Sequence, residues 1–400
     1  MVMNNTALIL LVSRETIPNF LSIKTFDEAG YYIFLTSNEM EDSEKGNRRE
    51  WTVKACDLEE NTYDFILVDA YKKESVLKNL QDYDWSRFES IIVNITGGTK
   101  IMALAAYEFF SSRKAQIWYT PENDNSTYYQ LNDHSNSRLI SYKTSVDEYL
   151  RCRGIEKSEN HYSEKQPTFK QNITKDFFNK FIGDEIKKEA LESLRLLLRA
   201  DSANKLFLKY LEKGLKLNEK QIPVEDFDEM LTKENIKEYI KEVGFEEYVD
   251  DGILHKELVT YLTGGWFEEY VYNILSEKIT NKNNIKLGVV LNQKPKKRRQ
   301  ANYFTNNDLD IVLTNSNTFY LIECKSAGMS DKELFNKTAY TASALRKYFG
   351  LTVKSVLCTL SQLNELQKER AEILDVTVFD LNTFSNKDEY HKIYEYFQLI

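Results

Sequence analysis

The feature that most constrains this chain is an alternation in its first third, where short, continuously apolar runs take turns with segments of helical spacing. ALILLVS (7–13), YYIFLTS (31–37), FILVDA (65–70), SIIVNIT (90–96) and AQIWYT (115–120) read as strands. IPNFLSIKTF (17–26) and KIMALAAYEFFSS (100–112) read as helices. Strands that are apolar along their whole length are buried on both faces, so the pattern predicts a parallel, doubly wound α/β sheet covered by helices. Ligands of such sheets bind beyond the carboxyl ends of the strands.

One strand end carries an unusual run. Residues 94–100 read NITGGTK and lead directly into a helix. Two glycines before a helix start at Thr99/Lys100 leave backbone amides free and let an anionic ligand come close to them. Lys100 adds a positive charge at the same rim. An ordinary βα turn that needs glycine for its dihedrals would contain the same residues. The run lacks the spacing of a P-loop and of a GxGxxG dinucleotide fingerprint. Ser13 and Thr36/Ser37 stand just after the first two strands, where their hydroxyls can meet a ligand or serve as caps and turn residues.

At 400 residues the chain is too long for one ordinary core. Residues 151–170 are polar and aperiodic and read as a linker, followed by Lys-, Glu- and Leu-rich helical spacing to about 250. Strand and helix patterns then return. The expected organisation is a first α/β domain over 1–150, a linker and helical connector over 151–250, and a second α/β domain over 251–400. The net charge of -9 argues against a protein coated in nucleic acid but allows a local basic groove. Cys56, Cys152, Cys324 and Cys358 are scattered without a CxxC pair, which suits a reduced, cytoplasmic protein and no zinc site. No stretch is apolar enough for a membrane span, and the N-terminus reads as a first strand rather than a signal peptide.

The last third holds a second constellation, DLDIVLTNSNTFYLIECKSAG (308–328). Asp310 begins a strand pattern, an Asn/Ser/Thr turn follows, and Glu323 and Lys325 lie two apart on the returning strand, on one face. One Asp against a Glu and a Lys makes a hard, oxygen-rich cation site with an ammonium beside it. Mg²⁺ or Mn²⁺ suits such carboxylates, and a bound metal lowers the pKa of water and offsets charge on a reacting phosphate. Lys325 would orient the attacking water or stabilise the phosphate. A salt-bridged sheet face would use the same residues, but the flanking IVLT and FYLI are core-like, and burying three charges without a role is costly.

KPKKRR (294–299) reads as a protruding hairpin tip, either a solvated turn or a set of phosphate contacts through Lys296, Lys297, Arg298 and Arg299. Tyr303 or Phe304 could stack on an unpaired base. The helix 338–350 adds Arg346 and Lys347 as further phosphate candidates, with Tyr340 a packing aromatic.

NITGGTKIMALAAY, with LLVSRETIPN at the first strand, resembles the CARF domain, which binds cyclic oligoadenylates in type III CRISPR defence. The resemblance implies a Rossmann-like fold over roughly 7–132, a homodimer with the ring across its axis, and a pocket lined by Ser13, Thr36, Thr96, Gly97, Gly98, Thr99 and Lys100 with Met102 nearby. Asn94 stands where some relatives carry Asp. The D…ExK pattern resembles the PD-(D/E)xK nucleases, although Leu309 replaces their usual Pro. TGGWFEEYVYNIL (263–275) is similar to the helix that precedes the core in CARF-linked members. There an acidic residue reaches the metal, a position matched to Glu268, with Glu269 its competitor about 100° away around the helix and Asp308 a possible assistant.

The resemblance as a whole implies a metal-dependent endonuclease, activated by cyclic oligoadenylate and most simply by cyclic tetra-adenylate. Its substrate would be single-stranded DNA or RNA, or duplex DNA that it nicks, and Asp310, Glu323, Lys325 and Glu268 would form its catalytic set. Three other readings compete with it. A HEPN-type ribonuclease needs an Arg four to seven residues before a His, which none of His134, His161, His255 and His391 has. A CARF transcriptional regulator gives no reason for the acidic hairpin. A restriction or repair nuclease without an activator would leave the TGGTK domain as scaffold.

Overall fold

The computed structural model describes residues 5–44, 46–121, 125–133, 135–156, 162–183, 215–216, 240–248, 253–254, 258, 260–292, 305–326, 332–350 and 353–400. In the first domain the strands are β1 (Thr6–Leu11), β2 (Tyr31–Thr36), β3 (Tyr63–Leu67), β4 (Ser90–Asn94), β5 (Gln116–Tyr119), β6 (Thr127–Gln130) and β7 (Ser137–Leu139). They form one sheet in the order β3-β2-β1-β4-β5-β6-β7. β1 to β5 pair in parallel, as the apolar runs predict, and an antiparallel hairpin of β6 and β7 closes the edge.

The order reverses between β1 and β4, so their carboxyl ends flank the crevice where doubly wound sheets take ligands. Ala7, Ile9 and Leu11 of β1 face a core beneath helix Lys100–Ser111, while Leu8 and Leu10 face a second core on the other side. Burial on both faces is why β1 is apolar from Ala7 to Leu11, whereas β3 at the sheet edge leaves Phe65 and Leu67 exposed.

The second sheet contains β8 (Tyr162–Glu164), β11 (Ile285–Asn292), β12 (Thr305–Asn315), β13 (Thr318–Lys325), β14 (Val353–Thr359) and β15 (Val376–Phe379), in the order β15-β14-β13-β12-β11-β8. A two-stranded ribbon of β9 (Leu215–Lys216) and β10 (Ile253–Leu254) stands apart. β12 begins at Thr305 rather than at Asp310, so Asp310 lies within the strand and not at its start. Its turn to β13 runs through Ser316 (φ 47°) and Asn317 (φ 60°), a left-handed pair that suits a two-residue hairpin.

The stretch read as a linker contributes to this second sheet. β8 pairs antiparallel with β11, and the helix Gln171–Gly183 packs on the helix Trp266–Ser276 through the Phe178–Tyr270 stack, with centroids 3.6 Å apart. Phe177, Phe178 and Trp266 belong to the same core as Ile311, Ile322 and Val356.

The two domains also share a core. Phe20, Val146 and Tyr149 of the first cluster with Val289, Leu309, Val312, Phe319 and Leu321 of the second. Tyr149 stacks on Phe319 at 4.3 Å and donates its hydroxyl to the Phe349 carbonyl at 3.2 Å.

Candidate activator and nuclease sites

The crevice at the ends of β1 and β4 is built by the TGGTK run. Asn94, fully buried, donates to Ser22 Oγ at 2.6 Å and accepts from the Thr96 amide and hydroxyl at 3.0 and 2.6 Å. An Asp there could not donate to Ser22, so the amide has its own structural use. Gly97 lies against β1: a Cβ on it would sit 2.2 Å from the Leu11 carbonyl oxygen and 3.5 Å from Ser13 Oγ. Gly98 has φ 74°, which favours glycine. Thr99 caps the helix by accepting from the Met102 amide at 3.2 Å, and donates to the Ala70 carbonyl at 2.5 Å.

The structure thus brings Ser13, Thr96, Gly97, Gly98, Thr99 and the exposed Lys100 to one rim. One expected lining residue points elsewhere, and Met102, expected nearby, lies beneath Gly98. Thr36 is fully buried, its hydroxyl donating to Glu41 at 2.8 Å, and Met102 packs in the core below the crevice.

The second site sits on the β12–β13 hairpin. Asp310 is buried and accepts from the Cys324 amide at 2.7 Å. The Lys325 ammonium lies 3.6 Å from Asp310, makes a short contact with Glu323, and donates to the Cys324 carbonyl at 3.2 Å. Glu268 and Glu269 separate clearly. Glu269 is buried and accepts from the Thr168 and Phe169 amides at 2.5 and 3.3 Å, so it caps the chain ahead of helix Gln171–Gly183. Glu268 instead feels Asp310, Glu323, Lys325 and Lys165.

Crowded carboxylates in a buried place resist ionisation. Burial first, and then the Asp310 charge, push the Glu268 carboxyl up to about 8. The same two causes push Glu323 up to about 7. Burial raises Asp310 as well, against the pull of Lys325 and the Cys324 amide. Burial disfavours the Lys325 ammonium, yet Asp310 and Glu323 outweigh it and hold the lysine charged.

Among the described residues no group of three acidic, histidine or cysteine side chains is set closely enough to enclose an ion by itself. The donor set nevertheless suits Mg²⁺ or Mn²⁺, which are held by one or two carboxylates with waters and substrate oxygens completing the shell. Asp310, Glu323 and the Cys324 carbonyl are the oxygens at hand, and Glu268 feels the charge of both carboxylates.

Lys296, Lys297, Arg298 and Arg299, with Tyr303 and Phe304, lie outside the described residues, as do the side chains of Asp308, Arg346 and Lys347. Arg346 and Lys347 belong to the helix Lys332–Phe349. Tyr340 is half exposed, and its hydroxyl meets Arg370. Sequence reading missed Lys165, whose short polar strand carries no periodic signal, and Asn317, whose only signal is its place in a two-residue turn. All four cysteines are free and buried, and no described helix is long and apolar enough to cross a membrane.

A Rossmann-like ligand crevice and an acidic hairpin with an adjacent lysine, in one chain, define a sensor fused to an endonuclease. Residues 7–149 match the model of the Card1 CARF domain and residues 255–388 that of the Card1-like endonuclease domain. The chain belongs to the CARF-domain nucleases. Among solved structures it is similar to protein VC1899 from Vibrio cholerae, with 16% identity, TM-score 0.73, and coverage of 99% of this chain and 98% of that one. It is also similar to Can2 from Sulfobacillus thermosulfidooxidans, solved in complex with cyclic tetra-adenylate, with 18% identity, TM-score 0.67, and coverage of 97% and 98%. No curated protein matches in sequence.

Proposed function

We propose that this chain is a metal-dependent endonuclease of type III CRISPR antiviral defence, switched on by a cyclic oligoadenylate, with cyclic tetra-adenylate the first candidate. The observation that carries the reading is the Asp310–Lys325–Glu323 cluster on the β12–β13 hairpin, with Glu268 feeling its charges, within the endonuclease-matched region of a chain that also holds the TGGTK crevice. The Can2 structure with cyclic tetra-adenylate supports the choice of ring.

In the sensor, Lys100 and the amides of 97–99 would receive the phosphates of the ring, with Ser13 on the facing strand end. A homodimer is supported by apolar side chains left in solvent on β3, the turn after it and helix Lys100–Ser111: Phe65, Leu67, Tyr71, Leu104 and Tyr107 are 37–73% exposed.

In the nuclease, Asp310 and Glu323 would hold Mn²⁺ or Mg²⁺ with help from Glu268. When bound, the ion supplies a more acidic water and offsets charge on the phosphate. Lys325 is kept charged by its two neighbours. It can hold a non-bridging phosphate oxygen or orient the attacking water. The substrate would be a single strand of DNA or RNA, or duplex DNA that is nicked.

The test is cleavage of a labelled single-stranded oligonucleotide and of supercoiled plasmid with Mn²⁺, with and without cyclic tetra-adenylate. Cleavage only with the ring is expected. Cleavage regardless of the ring would sink the sensor reading, and no cleavage with any ring or metal would turn the protein into a binding module.

A further inference from the structure

We propose that Lys165 is a phosphate-binding residue of the nuclease site, carried in by the strand between sensor and nuclease and laid across Gly288 toward Asp310. The inference rests on the nuclease reading above and adds a residue to it. The register supplies the first argument. β8 pairs Glu164 with Val289, so the next step puts Lys165 opposite Gly288, where the Lys165 amide donates to the Leu287 and Gly288 carbonyls at 3.2 and 3.0 Å. β11 pairs Leu287 with Ile311 and Val289 with Leu309, which puts Gly288 opposite Asp310. β12 pairs Ile311 with Ile322, so Asp310 falls opposite Glu323. Lys165, Gly288, Asp310 and Glu323 therefore occupy one row across four neighbouring strands.

The glycine is what leaves the lane open. A Cβ at Gly288 would stand 2.5 to 2.7 Å from Cβ, Cγ and Cδ of Lys165, so the lysine stem fills the space a side chain would take. Gly288 has φ 58° and interrupts the ladder. Ile285 and Leu287 before it face the nuclease core, while Val289 and Leu291 after it face the core shared with the sensor. The register is the same on both sides of Gly288, so no residue is inserted; the left-handed glycine turns the strand and re-aims the residues around it.

Charge supplies the second argument. Lys165 and Lys325 are the cations that act on Glu268, and both act on Asp310. Lys325 is engaged by Asp310 and Glu323, and Lys165 adds a second ammonium to the field at Asp310, which suits an incoming polyanion.

The strand is also tied to the sensor. Lys286, 7% exposed, bridges Glu164 at 2.7 Å and Asp147 of helix Val146–Arg151 at 3.1 Å. A shift of that sensor helix would carry β8, and Lys165 with it.

The test uses the full chain with Mn²⁺ and saturating cyclic tetra-adenylate on a labelled single-stranded oligonucleotide. Lys165→Gln should lower kcat/KM about tenfold to a hundredfold, the worth of one charge-assisted contact, and Lys165→Arg should restore most of it. In the Glu323→Gln background, which binds without cutting, adding Lys165→Gln should flatten the salt dependence of binding by about 0.7 in log–log slope. Wild-type cleavage by Lys165→Gln with an unchanged slope, or a loss that arginine does not rescue and the slope does not register, would overturn the proposal. If Glu323→Gln itself cuts like the wild type, the nuclease assignment falls instead.

Discussion

Asn317 Oδ1 accepts from both the amide and the hydroxyl of Thr144, at 2.9 and 2.8 Å, fastening the tip of the β12–β13 hairpin to the sensor domain. Its Nδ2 donates to the Tyr142 carbonyl at 2.9 Å and the Asn125 carbonyl at 3.3 Å. The residue is 2% exposed and left-handed, so one side chain joins the strands that carry Asp310 and Glu323 to the loop before helix Val146–Arg151. On the sensor side, Arg153 continues the connection to the crevice: it pairs with Glu15 at 2.5 Å and donates to the Arg14 carbonyl at 3.2 Å, beside Ser13. Replacing Asn317 by Ala should cost about 3 kcal/mol, from unpaired buried groups and a disfavoured φ. Gly at 317 should cost less, because it repairs only the backbone. Chemical denaturation measures the cost, and the activator concentration for half-maximal cleavage should shift in both variants. An unchanged half-point would detach this contact from the switch.

Glu323→Gln should reduce cleavage at least about a hundredfold, the scale expected for losing a group that acts in the transition state. Ring binding, followed by calorimetry, should stay at the wild-type value. Residual cleavage near the wild-type rate would remove Glu323 from the site.

The raised carboxyls make the metal-free protein sensitive to pH. Glu268 goes from an ordinary 4.5 to about 8 in the folded chain, and Glu323 from 4.5 to about 7. The folded state therefore holds protons that the unfolded state gives up, and the stability these two acids contribute should be full below pH 4.5 and be lost as pH rises toward 8. Melting in the presence of a chelator should show Tm dropping across this window. Added Mn²⁺ should raise Tm most at the alkaline end, and Glu268→Gln should flatten the slope. A pH-independent Tm would contradict the crowding of these acids.

The neighbouring glutamate should behave differently. Glu269→Gln keeps an acceptor but loses its charge, and Glu269→Ala leaves the Thr168 and Phe169 amides without their partner, costing about 1 to 3 kcal/mol. Neither should change the Mn²⁺ concentration that cleavage requires. A shifted metal requirement in Glu269→Gln would show that the two glutamates had been wrongly separated.

Lys100→Ala should weaken ring binding about tenfold, as expected for one charged contact, while cleavage at saturating ring stays near the wild type. Gly97→Ala should do more harm, since its Cβ would collide with the Leu11 carbonyl and push β1 from β4. Binding isotherms and circular dichroism of the two variants separate loss of a contact from loss of the crevice. Equal, mild effects would mean that Gly97 has room to move.

Much of this was legible in the residues. Continuous apolar runs announced the parallel strands, and the turn between IVLT and FYLI announced the hairpin, because both signals are local. β8 was not legible: YSE is short and polar, and it becomes a strand only through the β11 edge it pairs with. Glu268 and Glu269 could not be told apart by spacing, since the distinction depends on two amides about a hundred positions earlier in the chain. The glycines of TGGTK looked like an invitation to a ligand. Gly97 proves to be required by the close approach of β4 to β1, whether or not a ligand is present.

The core shared by the two domains has a consequence for anyone hoping to rewire this protein. Tyr149 stacks on Phe319, and β8 completes the nuclease sheet from a position downstream of the sensor. A chimera spliced at residue 150 would keep both active surfaces and still expose an unmatched apolar face. A transplantable effector would have to begin before residue 162 and bring its own counterpart for Tyr149, so the two domains would have to be moved together.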